Sequence, residues 1–289
     1  MSKNIRLIKN VISKKIDINI KNMIPDEIEK FIIKNIDKKP PLCYGKITED
    51  ELNKINEKIL KEYKININKH IIASIKSTFM KSFIIKNYYN LEKNSKLILH
   101  DYSKYGILKL SEKYNLSPMT IIKFIFDQLF HIKIKELLHN NKLSSFDKEQ
   151  FKIAEENDIY VTLNQADQME NSILFEKKIE DFLIKNLVKY KSQDQLIIEQ
   201  TKKYGKAINT PDFLINSELI INSKKINWID AKNFYGANID FIRNKIKKQI
   251  KKYIDEYGPG CIIFSLGYNS KLNIMNTLCV DYQQLVVSK

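Results

Sequence analysis

Apolar residues recur along this chain with two different periods, and the change of period divides it. Between residues 48 and 130 they return at steps of three and four, as on helices with one buried stripe. Leu52, Ile55, Ile59 and Leu60 form the first stripe. Thr48-Glu49-Asp50-Glu51 precedes it as a cap with acids where the helix dipole favours them. Ile71, Ile72, Ile75, Phe79, Phe83 and Ile84 predict a longer helix over about 68–89. Residues 107–122 read as a helix-turn-helix: Tyr114-Asn115 ends one helix, Ser117 caps the next and Pro118 fits its first turn. That second helix carries Ile121, Ile122, Phe124, Ile125, Phe126, Leu129 and Phe130, so it is apolar almost all round. Such a helix is expected in a core or against a partner rather than reading DNA bases.

Upstream, residues 26–36 read as a short helix that Lys38-Lys39-Pro40-Pro41 breaks, which predicts a linker there. Residues 1–23 are lysine-rich with no acid before Asp17 and are expected to be a helical or disordered extension. From 146 to 171 the signal is mixed, and a domain boundary is expected within it. Thereafter the pattern predicts a helix (171–190), a strand (196–199), a hairpin, a helix (238–256) and two strands (261–267 and 277–281). In the hairpin, Phe213-Leu214-Ile215 and Leu219-Ile220-Ile221 run out, Asn222-Ser223-Lys224-Lys225 turns, and residues 226–230 return. The expected organisation is an extension (1–47), an all-α domain with the helix-turn-helix-like unit (48–165), and an α/β domain with a mixed central sheet flanked by helices (166–289).

Composition changes this picture little. No apolar run of eighteen residues predicts a membrane helix, and no membrane partner is expected. Cys43, Cys261 and Cys279 lack the spacing of a metal knuckle or disulfide framework, and Cys261 and Cys279, in apolar strand-like runs, read as buried thiols of a reducing compartment. The net charge of +15 permits a polyanionic partner. The bias toward Lys, Asn and Ile is that of an AT-rich coding sequence, so charge alone decides nothing.

The candidate chemistry sits on the hairpin. Pro211-Asp212 enters it, and Asp230-Ala231-Lys232 closes its return strand, where alternation puts Asp230 and Lys232 on one face. Carboxylates beside a lysine suit metal-assisted phosphodiester hydrolysis: hard oxygens hold Mg²⁺ or Mn²⁺, and the ammonium orients water and offsets phosphoryl charge. Glu176, on the preceding amphipathic helix, offers a third carboxylate. On the following helix Gln249 and Tyr253 stand four apart and share a face. Arg243, Lys245, Lys248 and Lys252 lie on the same basic helix and, with Tyr253, are candidates for contact with a nucleic-acid backbone.

In this order the residues resemble the PD-(D/E)xK nucleases, which implies a restriction-endonuclease-like core. Thr210-Pro211-Asp212-Phe213, Asn227-Trp228-Ile229-Asp230-Ala231-Lys232 and Tyr257-Gly258-Pro259-Gly260 more closely resemble the TPD-motif nucleases, the family of the animal codanin-interacting nuclease. The likeness is sharpest over 176–267. It implies Glu176, Asp212 and Asp230 as ligands of Mg²⁺ or Mn²⁺, Lys232 as the catalytic lysine and Gln249 as its brace. It further implies a nuclear protein, with the cytoplasm as a second compartment, that cuts DNA in preference to RNA. The alternative it implies is a partner of a codanin-like protein that uses the fold as a scaffold. One departure is plain: Ser172-Ile173-Leu174-Phe175 lacks the second acid that the family tends to carry before the helix-borne glutamate.

Overall fold

The computed structural model describes residues 13–18, 23–131, 143–161 and 166–287. The chain divides into two compact units, Asp26–Asp167 and the combination of Met1–Pro25 with Gln168–Lys289.

The first unit is helical, with no strand among its described residues. It contains α1 (Asp26–Asn35), α2 (Glu49–Tyr63), α3 (Lys69–Asn87), α4 (Tyr89–Tyr114), α5 (Pro118–Phe130) and α6 (Ser145–Asn157). The caps lie where side-chain chemistry predicts them. Thr48 accepts from Glu51 N, Asn115 is left-handed at the end of α4, and Ser117 accepts from Thr120 N. Helix α5 buries Met119, Ile121, Ile122, Ile125 and Phe126, in keeping with its expected place in a core. At Gly106 (φ 69°) helix α4 breaks, and the freed Ile107 N–H donates to Gln150 Oε1 (2.7 Å).

One expectation changes here. Pro40-Pro41 is no linker: it leads into a short 3-10 turn, Leu42–Tyr44, whose Cys43 and Tyr44 are buried beside Met80 and Ile84. Residues 145–157, at the start of the stretch of mixed signal, form a helix, because Ser144 accepts from Asp147 N and starts a regular turn there.

The second unit is a mixed α/β fold around a six-stranded, mostly parallel sheet. Its strands are β1 (Ser13–Ile16), β2 (Tyr190–Ser192), β3 (Phe213–Ile221), β4 (Lys224–Lys232), β5 (Gly260–Phe264) and β6 (Thr277–Asp281), in the order β1-β3-β4-β5-β6, with β2 also on β3. The pairs β1–β3, β4–β5 and β5–β6 are parallel, while β2–β3 and β3–β4 are antiparallel. Its helices are α7 (Ala166–Lys185), α8 (Gln193–Tyr204), α9 (Asp240–Tyr257) and α10 (Tyr282–Val287). Alternation sorts the sheet into two apolar faces. Ile229, Cys261, Ile263 and Val280 pack with Phe175, Ile179 and Leu183 of α7, whereas Trp228, Ile262 and Phe264 pack with Ile246, Ile250 and Tyr253 of α9. Each such aliphatic side chain contributes roughly 1.5–3 kcal/mol when taken from water.

Two further expectations are corrected in this unit. Residues 13–16, expected as helix or disorder, form a strand parallel to β3 at 218–221. Asn222 holds it: Ile18 N donates to its Oδ1 (2.6 Å), its Nδ2 donates to Ile18 O (3.0 Å), and its own N–H reaches Ile16 O (3.0 Å). The expected strand at 196–199 lies inside α8. Ser192 and Gln195 form a reciprocal capping box at its start and left-handed Gly205 closes it, so the Leu-Ile-Ile run is one turn of helix. The rest of the expected extension, residues 1–12 and 19–22, lies outside the described residues.

Candidate active site

Strand β4 sets the geometry. Asp230 and Lys232 project to the face that carries Trp228, toward α9, while Ala231 faces α7. Asp230 is 1% exposed, and its Oδ2 lies 2.5 Å from Lys232 Nζ. One amide from α9 spans both charges. Gln249 Oε1 accepts from Lys232 Nζ (3.3 Å), and Gln249 Nε2 donates to Asp230 Oδ1 (3.2 Å) and to the Tyr253 hydroxyl (3.1 Å). Tyr253 in turn donates to Thr210 O (3.3 Å). The amide is thus matched in polarity, carbonyl to ammonium and NH₂ to carboxylate.

The rotation of α9 is fixed at its far end. Asn227 Nδ2 donates to Tyr257 O (2.7 Å) and Trp228 Nε1 to Gly258 O (2.8 Å), so the Asn-Trp of β4 fastens the Tyr-Gly-Pro-Gly that ends the helix. Gly260 is required there, because a Cβ would come within 2.1 Å of the Trp228 ring.

Asp212 stands where the chain enters β3, and its Oδ2 accepts from Ala231 N (2.6 Å), beside Asp230. The segment before it is held by residues that sequence reasoning missed. Gln200 Oε1 accepts from Ile208 N (2.7 Å) and Asn209 N (3.1 Å), while its Nε2 donates to Asn209 O (2.6 Å). Gln193 Nε2 donates to Thr210 O (3.0 Å) and its backbone N–H to Asp212 O (3.0 Å). Both glutamines belong to α8, and the capping box at Ser192 was the available signal.

Glu176 comes from α7, on the other face of the sheet, and is half-buried. With Asp212 and Asp194 it lines a cavity of about 180 Å³. The carboxyls of Asp212, Asp230 and Glu176 are pushed above their ordinary range. Burial raises Asp212 most, then the charge of Asp230, against the Ala231 N–H and Lys232. Burial also raises Asp230, which Lys232 opposes, and raises Glu176, where Asp230 adds to it. Adjacent buried acids each make the other's ionisation costlier.

Among the described residues, no three His, Cys, Asp or Glu side chains converge as a ready metal-holding group. The aspartate pair nonetheless has the features that a divalent cation would satisfy. Both donors are hard oxygens, and Asp230 Oδ2 is buried with no regular hydrogen bond beyond its ionic contact with Lys232. Glu176 stands within electrostatic reach of Asp230 rather than bundled with it.

The basic helix is less uniform than its sequence. Arg243 is tied to Asn238 Oδ1 (2.7 Å) and Asp240 Oδ1 (2.5 Å). Lys245, Lys248 and Lys252 are exposed and line a cavity of about 290 Å³ that Gln249 and Tyr253 also line.

Comparison with known proteins adds three findings. The family described as "Protein of unknown function TPD sequence-motif" matches residues 142–283. An uncharacterized protein of Acanthamoeba polyphaga mimivirus is 29% identical over 243 residues, which cover 80% of this chain and 83% of that protein. The Mus musculus protein named CDAN1-interacting nuclease 1 is 27% identical over 110 residues, 37% of each chain. No solved structure matches.

Proposed function

We propose that this chain is a metal-dependent nuclease with a PD-(D/E)xK type of site on a restriction-endonuclease-like core, cutting DNA in preference to RNA. The observation that carries the reading is the arrangement of Asp212, Asp230, Lys232 and Gln249. A structural ion pair needs one acid and one base. Here a second carboxylate sits beside the first, which costs stability in the absence of a cation. The family match and the partial similarity to a protein named as a nuclease support the same reading.

Asp212 and Asp230 would hold Mg²⁺ or Mn²⁺, with Glu176 as a further carboxylate on the rim. A bound divalent ion supplies Lewis acidity and a more acidic water. Lys232, held beside Asp230, places a positive charge against the phosphoryl oxygens and orients the attacking water. Gln249 keeps Lys232 and Asp230 in register, and Tyr253 ties that pair to the Thr210 backbone. A codanin-like partner rests on the mouse similarity alone, and that similarity spans 37% of each chain.

The test is cleavage of labelled single-stranded, duplex and branched DNA, and of RNA, with Mg²⁺, Mn²⁺ or chelator. Metal-dependent cutting that falls at least about 10²-fold in Lys232→Ala is expected. A folded wild-type protein that cuts none of these substrates with either metal would refute the reading.

A further inference from the structure

Helix α9 carries lysines on several sides, but only some of them face a concavity. Lys245, Lys248 and Lys252 stand at steps of three and four, on one helix face, and line the cavity of about 290 Å³ together with Thr210, Gln249 and Tyr253. Lys247 and Lys251, each one position before a lining lysine, are exposed and do not line it. Arg243 is committed to Asn238 and Asp240. No ion pair with an acid is found for the three lining lysines among the described residues.

The cavity has an electrostatic counterpart. The neighbouring one, which takes Asp212 and Phe213 where this one takes Thr210, is lined by Glu176, Glu180, Asp194 and Asp212 against the single cation of Lys177. The two differ in sign, and Pro211 stands between Thr210 of one lining and Asp212 of the other. Gln249 also joins the basic cavity to the reacting groups, because the amide that lines it bonds both Lys232 and Asp230. An anion held by the three lysines is therefore one side chain from the carboxylate pair.

We infer that the lysine-lined cavity is a phosphate subsite for the polynucleotide strand next to the reacting phosphodiester, and that the strand is gripped on this side only. This rests on the nuclease reading and deepens it: the substrate class is a strand whose backbone continues on the lysine side. The volume is at the lower end of ligand-pocket size, which suits a single phosphate with its sugar rather than a continuous groove. Exposed lysines that line no concavity contribute a diffuse field, which binds polyanions without position.

The structure supplies its own control. Lys248→Gln/Lys252→Gln and Lys247→Gln/Lys251→Gln remove equal charge from the same helix, one position apart, and only the first pair lines the cavity. Binding of a fluorescent single-stranded oligonucleotide is measured for the full chain in chelator and in Ca²⁺, across a salt series. Each phosphate contact on a single strand contributes about 0.7 to the slope of log affinity against log salt. The lining pair is expected to lower the slope by about 1.4 and to weaken binding at 0.1 M salt by about 25-fold. The off-cavity pair is expected to change affinity less than about 3-fold, its lysines making no fixed phosphate contact. Equal losses in both pairs, or no loss in either, would overturn the subsite while wild-type binding kept the nucleic-acid reading intact. No binding by the wild-type protein under any condition would overturn both.

Discussion

The two units each bury an aspartate, and they treat it in opposite ways. In the helical unit Asp158 is 1% exposed and is surrounded by donors: the Ser117 hydroxyl, Met119 N (3.2 Å), Tyr160 N (3.0 Å) and Val161 N (3.1 Å). It fastens the start of α5 to the chain after α6. In the sheet unit Asp230 is equally buried, yet its Oδ2 has only the ionic contact with Lys232, and a second aspartate stands beside it. Burial raises the carboxyl in both places. One carboxylate is consumed by the fold, and the other is kept available at a cost. On the proposed reading, that difference separates a structural acid from one held for chemistry.

The comparison breaks if the two sites respond alike to removal. The largest expected effect is on activity. Asp212→Asn should lower cleavage at least about 10³-fold, the scale of losing an electrostatic group at a reacting centre. The same substitution should leave unfolding free energy unchanged or raise it by about 1 kcal/mol, since the amide still accepts from Ala231 N–H and the like-charge repulsion is gone. Asp158→Ala should do the reverse to stability. It strands several buried donors and should cost the helical unit about 3–5 kcal/mol in urea denaturation followed by circular dichroism. Trp228, the single tryptophan of the chain, lies in the sheet unit, so its fluorescence reports that unit separately.

Gln249→Ala sharpens the comparison at smaller scale. It should lower kcat about 10–100-fold with KM nearly unchanged, because Gln249 positions Lys232 and Asp230. The smallest effect is in pH. Asp158 has its carboxyl raised above the ordinary 3.8 by burial, so the folded helical unit binds that proton more tightly than the unfolded chain. Its contribution is therefore full below the ordinary value and is lost as pH rises through the raised one. Urea midpoints of the wild type should show that downward component as pH rises above the ordinary carboxyl value, and Asp158→Asn should remove it.

How much was legible beforehand follows from which forces are local. The hairpin and the shared face of Asp230 and Lys232 follow from a period of two and a turn at Asn222-Ser223. The caps at Thr48, Asn115 and Ser117 follow from side-chain chemistry within a few residues. The pairing of residues 13–16 with β3 was not legible, because its fixing contact joins Ile18 to Asn222 across 204 positions. Gln200 went unseen for a related reason: a polar residue just after a run misread as strand gives no hint that its amide will hold the Ile208–Asn209 backbone. Glu176 shows the limit from the other side. The family resemblance groups it with the aspartates, but α7 packs on the opposite face, which leaves it in electrostatic rather than direct contact with Asp230.

The most direct test of the claim that Asp212 and Asp230 are held open for a cation is a Mn²⁺ titration of thermal stability, read by Trp228 fluorescence, on wild type and on Asp212→Asn/Asp230→Asn. A ligand that binds only the folded state adds about 2.7 kcal/mol at a hundred times its Kd. The wild type should gain stability with Mn²⁺ and the double variant should not, each measured against its own metal-free baseline, which loss of the Asp230–Lys232 pair lowers in the variant. A wild type indifferent to Mn²⁺, or a variant that gains as much, would contradict the account.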